Sequence, residues 1–452
     1  MLRTILFWGL LCPLLGWTQT INIIDFGAKD DGVTLNTVAI QAAIKKCKGQ
    51  GGGTVMIPAG RFLTGTLFLD SNIELHLSPG AILLGSTQMK DYDAIHRHLI
   101  YAEGANNVSI SGTGTIDGQG PAFYRGKENN FEAEIVRPVP WILFKNCTEI
   151  KVRDVKMIQS PAHVLVLEDS NQAVVDGIRV YNAPDSPNTD AIDIKDTRNV
   201  MISNCHLVSG DDIICLKSEE DTVENILVTN CILSSDDAAI KMGTGSRAAI
   251  RNCQFSNITI KESRYGIALF MVDGGTYENC TFDNIIIETI SRYNTEYPIY
   301  IDVDKRKEGS NLGLVRDLLF SNILIRSRGN ILVAGQKEAP LQSLTFKNIR
   351  FQLTGIADLS LLKKKPRGNK SFPTLPGMDD FSKVGAHFTF GHINGLYLED
   401  ISLLHPEKSA TSRKDLVLIN ISDFRGNSIQ VNRGKKMPLI EKITDANKAS
   451  IK

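Results

Sequence analysis

One short pattern recurs from about residue 100 to residue 405: a run of apolar residues interrupted by Asn or Asp. It reads Val152-Arg-Asp-Val, Val175-Asp-Gly-Ile, Ile202-Ser-Asn-Cys, Val228-Thr-Asn-Cys, Phe255-Ser-Asn-Ile, Phe282-Asp-Asn-Ile, Phe320-Ser-Asn-Ile, Phe346-Lys-Asn-Ile and Leu398-Glu-Asp-Ile. The markers Asp154, Asp176, Asn204, Asn230, Asn257 and Asn284 are 22, 28, 26, 27 and 27 positions apart, which is a solenoid period. A rung of this length cannot bury its apolar side chains alone, so neighbouring rungs must stack to complete a core. An inward Asn at each corner is expected to hydrogen-bond to the next in a ladder. A leucine-rich horseshoe fits poorly, because the repeats lack its leucine spacing and show no helices. The pattern predicts an all-β fold, a single-stranded right-handed parallel β-helix.

Ahead of the repeats, Asn36 to Lys46 reads as an amphipathic helix followed by the turn Gly51-Gly-Gly53. Such a helix caps the open end of a solenoid, which would otherwise expose its core. Before it, Met1-Leu-Arg3, the apolar stretch Ile5 to Leu15 and Gly16-Trp-Thr-Gln19 have the layout of an export signal. Leu10-Leu11 before Cys12 lacks the small residue of a lipid-attachment site, so ordinary cleavage near Thr18 to Thr20 is expected. The expected organisation is a signal peptide over 1–19 and one β-helix domain over 20–452, exported to the periplasm or exterior. The leader is too short to span a membrane stably. Insertions at Gln119 to Pro140 and Arg292 to Leu312 lengthen single rungs, and loops rising from one face of a solenoid commonly build its cleft. The basic run Lys363 to Lys370 is either a solvated loop or a contact for an acidic ligand.

Lys+Arg and Asp+Glu both number 50 in 452 residues, so no global positive field attracts a polyanion, and nucleic-acid binding is not expected. Eight cysteines in an exported chain raise the question of disulfides. Cys205 and Cys231 follow Asn in one phase of the repeat, and Cys147, Cys253 and Cys280 in another. Two readings are open: small buried core residues, or a Cys205–Cys231 bridge between adjacent coils. No CxxC spacing suggests a metal site.

Three acidic segments, Asp190-Ala-Ile-Asp-Ile-Lys195, Asp212-Ile-Ile-Cys-Leu-Lys217 and Asp236-Asp-Ala-Ala-Ile-Lys241, each place an aspartate five residues before a lysine. In successive coils these aspartates would form a column with neighbours about 5 Å apart. Like charges so close raise one another's pKa, so one group stays protonated while another is ionised, as acid/base cleavage requires. The plainer reading is a solvated ladder of turns, since Asp is common there.

Asn188-Thr-Asp190 followed by Gly210-Asp-Asp212, with Ser160-Pro-Ala-His163 one coil earlier, Lys217-Ser218 after it and the opening Asp25 to Gly32, resembles the polygalacturonases, the family 28 glycoside hydrolases. That resemblance spans nearly the whole mature chain. It implies a right-handed parallel β-helix that hydrolyses a glycosidic bond with inversion and needs no cofactor or metal. Asp211 would be the general acid, with Asp190 and Asp212 holding and deprotonating the attacking water. Inversion requires acid and base carboxyls about 6.5–9.5 Å apart. Asn188, His163, Lys217, Lys241 and Asp237 would line the substrate; His163 has a surface alternative and Asn188 a turn role. Tyr300 and Trp141 offer either sugar-stacking faces or packing against the wall.

The chain also departs from the family. Where a Gly-His-Gly is usual, the equal-length alignment places Asp236-Asp237-Ala238, so Asp237 holds the histidine position and a shifted frame would put Ala238 there. Where an Arg-Ile-Lys usually meets the galacturonate carboxylate, the chain has Ala268-Leu269-Phe270. A substrate carboxylate without a partner there would be costly. The expected substrate is therefore a rhamnogalacturonan-like pectin or a pectic oligosaccharide rather than plain homogalacturonan, taken by a monomer. Two other classes are a β-helix polysaccharide lyase using calcium and a base, for which no base is evident, and a carbohydrate-binding relic, against which the intact Asp190, Asp211 and Asp212 argue.

Overall fold

Along every strand, alternate residues point inward, and each inward residue lies over its counterpart one coil away. Leu67, Ile100, Ile142, Leu165, Ile192, Ile214, Ile240, Ile267 and Ile299 follow one another in register and are fully buried. The computed structural model describes residues 19–124, 136–291, 295–354, 374–406, 413–432, 435–436 and 450–451. Its strands pair in parallel from Thr20 onward, the antiparallel pairing of Gln430 with Lys436 excepted. The architecture is the expected right-handed parallel β-helix.

On a second wall Phe255, Phe282, Phe320 and Phe346 stack with centroids 5.1, 4.7 and 4.7 Å apart and rings within 6° of parallel. The in-register pairing of their strands dictates this face-to-face geometry. Each buried Phe contributes roughly 1.5–3 kcal/mol of transfer free energy.

The Asn markers correct the sequence reading in two ways. They lie on the outside, not inward: Asn204, Asn230, Asn257 and Asn284 are exposed, each with a left-handed φ of 52 to 57°. Asn tolerates that conformation because its short amide bonds locally. A ladder does form, with Asn284 donating to Asn257 at 2.7 Å and Asn348 to Asn322 at 2.8 Å, but it runs along the solvent-facing corner. The 22- and 28-residue intervals also reflect a phase error. Asp176 pairs with Ser203, so the corner opposite Asn204 is Gly177, at φ 67°.

The capping helix runs Thr37–Gly49, longer than expected, and buries Ile40, Ala43, Ile44 and Cys47 against the first coil. Asn36 does not cap it; its side chain instead bonds Lys29 and Thr34. Cys47, Cys147, Cys205, Cys215, Cys231, Cys253 and Cys280 are buried free thiols, so the core reading holds and Cys205 is not bridged to Cys231. Residues 1–18 of the expected leader, the run Lys363 to Lys370 and parts of both insertions (125–135 and 292–294) lie outside the described residues. Among the described residues no helix is long and apolar enough to cross a membrane.

Because the ladder is continuous, a cavity in one rung removes contacts from both neighbours. Phe282→Ala is expected to cost about 3–5 kcal/mol. It should appear as a clearly lower midpoint in denaturant unfolding followed by circular dichroism, and an unchanged midpoint would contradict the stacking account.

Candidate active site

The strand Ile192–Lys195 lies on Ile214–Ser218 with Ile192 opposite Ile214, a register that sets Asp190 over Asp212. One coil before, Leu165 faces Ile192, which sets His163 over Asp190. In the other direction Ser209 faces Ser235 and Ile214 faces Ile240, so Asp237 stacks on Asp211 and Ala238 on Asp212. The three acidic segments are thus not equivalent, contrary to the expected column. Asp236 falls under Gly210, and Lys241 lies opposite Cys215 rather than Lys217. Two short columns result, one of His163, Asp190 and Asp212, the other of Asp211 and Asp237.

All four aspartates are at most 9% exposed as whole residues. One oxygen each from Asp211, Asp212 and Asp237 lie within 4.8 Å of one another, so Asp211 and Asp212 stand closer than the roughly 6.5–9.5 Å expected between acid and base for inversion. Burial, then Asp190, Asp212 and Asp237, raise Asp211 well above the usual carboxylate range, and Lys241 only partly offsets them. Burial also raises Asp212, against the pull of Lys241, to about 7. The Lys241 ammonium donates to Asp212 at 2.5 Å, while no such cation contacts Asp211 among the bonds described. The neighbouring carboxylates are therefore split: Asp211 holds its proton more firmly than Asp212 does.

His163 stands 30% exposed, with Nε2 3.7 Å from Asp190 and Nδ1 3.3 Å from Asp193. Burial works against its imidazolium, but Asp190 and Asp193 outweigh that and raise it. Lys217 donates to Asp193 at 2.7 Å and to Asp190 at 3.4 Å. Burial opposes its charge as well, and Asp193, Cys215 and Asp190 together more than compensate. Asn188 has φ 49°, so it shapes the turn before Asp190, and its Oδ1 accepts from Arg137 at 2.9 Å. Thr189 Oγ1 accepts from the Gly210 N–H at 3.1 Å, tying the two acidic turns together.

Three residues escaped the sequence reading. Asp193 is buried between His163 and Lys217, and alternation carried its signal, since Ile192 and Ile194 point to the core and Asp193 away from it. Arg264 is fully buried, reaches Asp237 with Nη1 at 3.4 Å and lies 4.8 Å from the Tyr265 ring centroid. Its signal was the 27-residue interval from Asp237. Arg137 donates to the carbonyls of Pro161 and Pro187 at 2.8 and 2.9 Å as well as to Asn188, pinning two turns of the cleft. Lying in an insertion, it carried no periodic signal.

Trp141 and Tyr300 are fully buried and present no stacking face, so packing is their role. Tyr300 instead belongs to a cluster with Tyr265, Ala268, Phe270, Tyr297, Leu332 and Phe381. Ala268 lies opposite Lys241 one coil on, and the Lys241 ammonium sits 5.6 Å from the Phe270 ring centroid. The positions expected to carry Arg and Lys are thus apolar wall. Donor atoms of His163, Asp190 and Asp193, of Asp190, Asp212 and Cys215, and of Asp211, Asp212 and Asp237 cluster within 4.8 Å. Each of these three clusters contains an aspartate already paired with the ammonium group of Lys217 or Lys241.

A protein named probable polygalacturonase from Vitis vinifera is 28% identical over 280 residues, 56% of this chain and 57% of that protein. The chain spans about three fifths of the length of the first such relatives. An exopolygalacturonase from Thermotoga maritima superposes with TM-score 0.66 at 22% identity over 74% of this chain and 87% of its own. A family 28 exopolygalacturonase from Yersinia enterocolitica does so with TM-score 0.67 at 21% identity over 93% and 79%. These two likenesses concern the fold. The model of glycosyl hydrolases family 28 matches residues 47–365, and the chain belongs to that family.

Proposed function

We propose that the protein hydrolyses glycosidic bonds in a pectic polysaccharide or oligosaccharide with inversion, as an exported monomer. The observation that carries this reading is the split between Asp211, driven well up by burial and three carboxylates, and Asp212, held against Lys241. Asp211 gives its proton to the leaving oxygen as the anomeric carbon–oxygen bond breaks. A water held by Asp190 and Asp212 attacks from the opposite face and yields a proton to that pair, so the net change is addition of water across the bond. Lys217 and His163 keep Asp190 oriented. Asn188, Lys217, Lys241, Asp237 and His163 line the sugar path. Relatives named as polygalacturonases support the pectic class.

Within that class we favour substrates carrying a neutral sugar next to the cleaved bond. Ala268 and Phe270 stand in an apolar cluster, and Lys241 and Lys217 are already engaged by Asp212 and Asp193. A desolvated galacturonate carboxylate has little to offset it there.

Asp211→Asn removes only the transferable proton. Turnover should fall by at least about a hundredfold, with oligosaccharide binding by calorimetry retained; near wild-type turnover would refute the assignment. On a panel of substrates, rhamnose-containing pectic oligosaccharides should show a higher kcat/KM than unbranched oligogalacturonides. Equal or better cleavage of the oligogalacturonides would overturn the neutral-sugar reading while leaving the hydrolase reading intact.

A further inference from the structure

The column that begins at Asp211 continues with charged residues of alternating sign. The registers Ala238 to Tyr265 and Tyr265 to Tyr297 set Arg264 over Asp237 and Glu296 over Arg264. Glu296, 3% exposed, is held by the Thr289 hydroxyl, by the Ser291 N–H and by an ion pair with Arg328. Arg264 has no solvent exposure; besides Asp237 it donates through Nη2 to Thr295 Oγ1 at 3.2 Å and stacks on Tyr265. A guanidinium so enclosed cannot swing out to a substrate. Its effect on the cleft must pass through Asp237, the one member of the pair whose side chain reaches solvent, at 13% exposed.

We propose that the Asp237–Arg264 pair is a built-in electrostatic support for the acid: Arg264 holds Asp237 at its post over Asp211, and the Asp237 charge keeps the transferable proton on Asp211. This rests on the hydrolase reading of Asp211. It assigns Arg264 and Asp237 as positioning residues acting through Asp211, in a chain where the usual histidine is replaced by a carboxylate. With Arg264 3.4 Å behind it, the Asp237 carboxylate is fixed where it repels ionisation of Asp211. The other charged groups acting on Asp211 are Asp190 and Asp212, which act in the same sense as Asp237, and Lys241, which opposes them. Arg137 faces Asp190 and Asp211 from the insertion, and Lys217 and His163 are occupied with Asp190 and Asp193.

The sign follows directly. Asp211 acts protonated, so activity falls as pH rises through its folded-state pKa. Removing the Asp237 charge lowers that pKa, and the alkaline limb of kcat/KM moves to lower pH. The test is the pH profile of hydrolysis of the enzyme's pectic oligosaccharide substrate for wild type, Asp237→Asn, Arg264→Met and the Asp237→Asn/Arg264→Met double variant, with unfolding midpoints for each. Asp237→Asn should stay folded and shift the alkaline limb acidward by about one pH unit. Arg264→Met should lower the unfolding midpoint, and the double variant should recover much of that loss while keeping the Asp237→Asn profile. An alkaline limb unmoved in both Asp237→Asn and the double variant would overturn the proposal and leave the pair a purely structural one. Asp211→Asn, assayed alongside, separates the two readings. If it remains active with an unchanged profile, the acid assignment itself has failed; if it is inactive while Asp237→Asn is unshifted, only the inference has.

Discussion

In-register stacking is the constraint on which everything else in this protein depends. Once the hydrogen bonds between parallel strands fix one coil over the next at about 4.8 Å, every residue acquires a counterpart above and below. Inside, this aligns isoleucine with isoleucine and phenylalanine with phenylalanine, and burial rewards the match. Outside, the same geometry aligns whatever the sequence supplies, including Asp190 over Asp212 and Asp237 over Asp211. Carboxylates that would avoid one another on a deformable surface cannot do so here. The electrostatics of the candidate site are a by-product of strand pairing.

Repetition also explains which parts of the fold were readable. A period near 27 residues, recurring with apolar flanks, leaves few alternatives to a β-helix, and the motifs at Asn188 to Asp190 and Gly210 to Asp212 pointed to aspartates that the fold gathers and buries together. Phase was harder to read. Asp176 looks like a marker because it is an acidic residue beside a valine, yet Gly177 occupies the corner, since a left-handed turn accepts Gly at least as readily as Asn. The inward placement of the Asn ladder failed for a related reason. At a left-handed corner the backbone turns the side chain outward, while the residue that follows, Cys205, Cys231, Ile258 or Ile285, enters the core.

At the site, identity was legible and pairing was not. The aspartates and lysines could be listed from their spacing, but a spacing of five residues did not reveal that Lys217 reaches back to Asp193 while Lys241 reaches Asp212. Asp193 was visible only as an interruption in an apolar alternation. Arg137 lies in an insertion, where no repeat predicts position, and its role comes entirely from three hydrogen bonds to turns far along the chain.

The pairing has a consequence for specificity. Burying several carboxylates within a few ångströms is tolerable only if cations are buried with them, and removing a partner from such a pair costs about 3–5 kcal/mol. Here Lys217, Lys241 and Arg264 are each committed to an aspartate of the protein itself. A cation engaged in this way is a poor receptor for a substrate anion, because the new contact is made at the expense of the old one. The next coil then offers Ala268 and Phe270 rather than further charge. Under the proposed function, stabilising the acid cluster from within and recognising an acidic sugar beside the cleaved bond are competing uses of the same basic groups, and the ion pairs observed here serve the first.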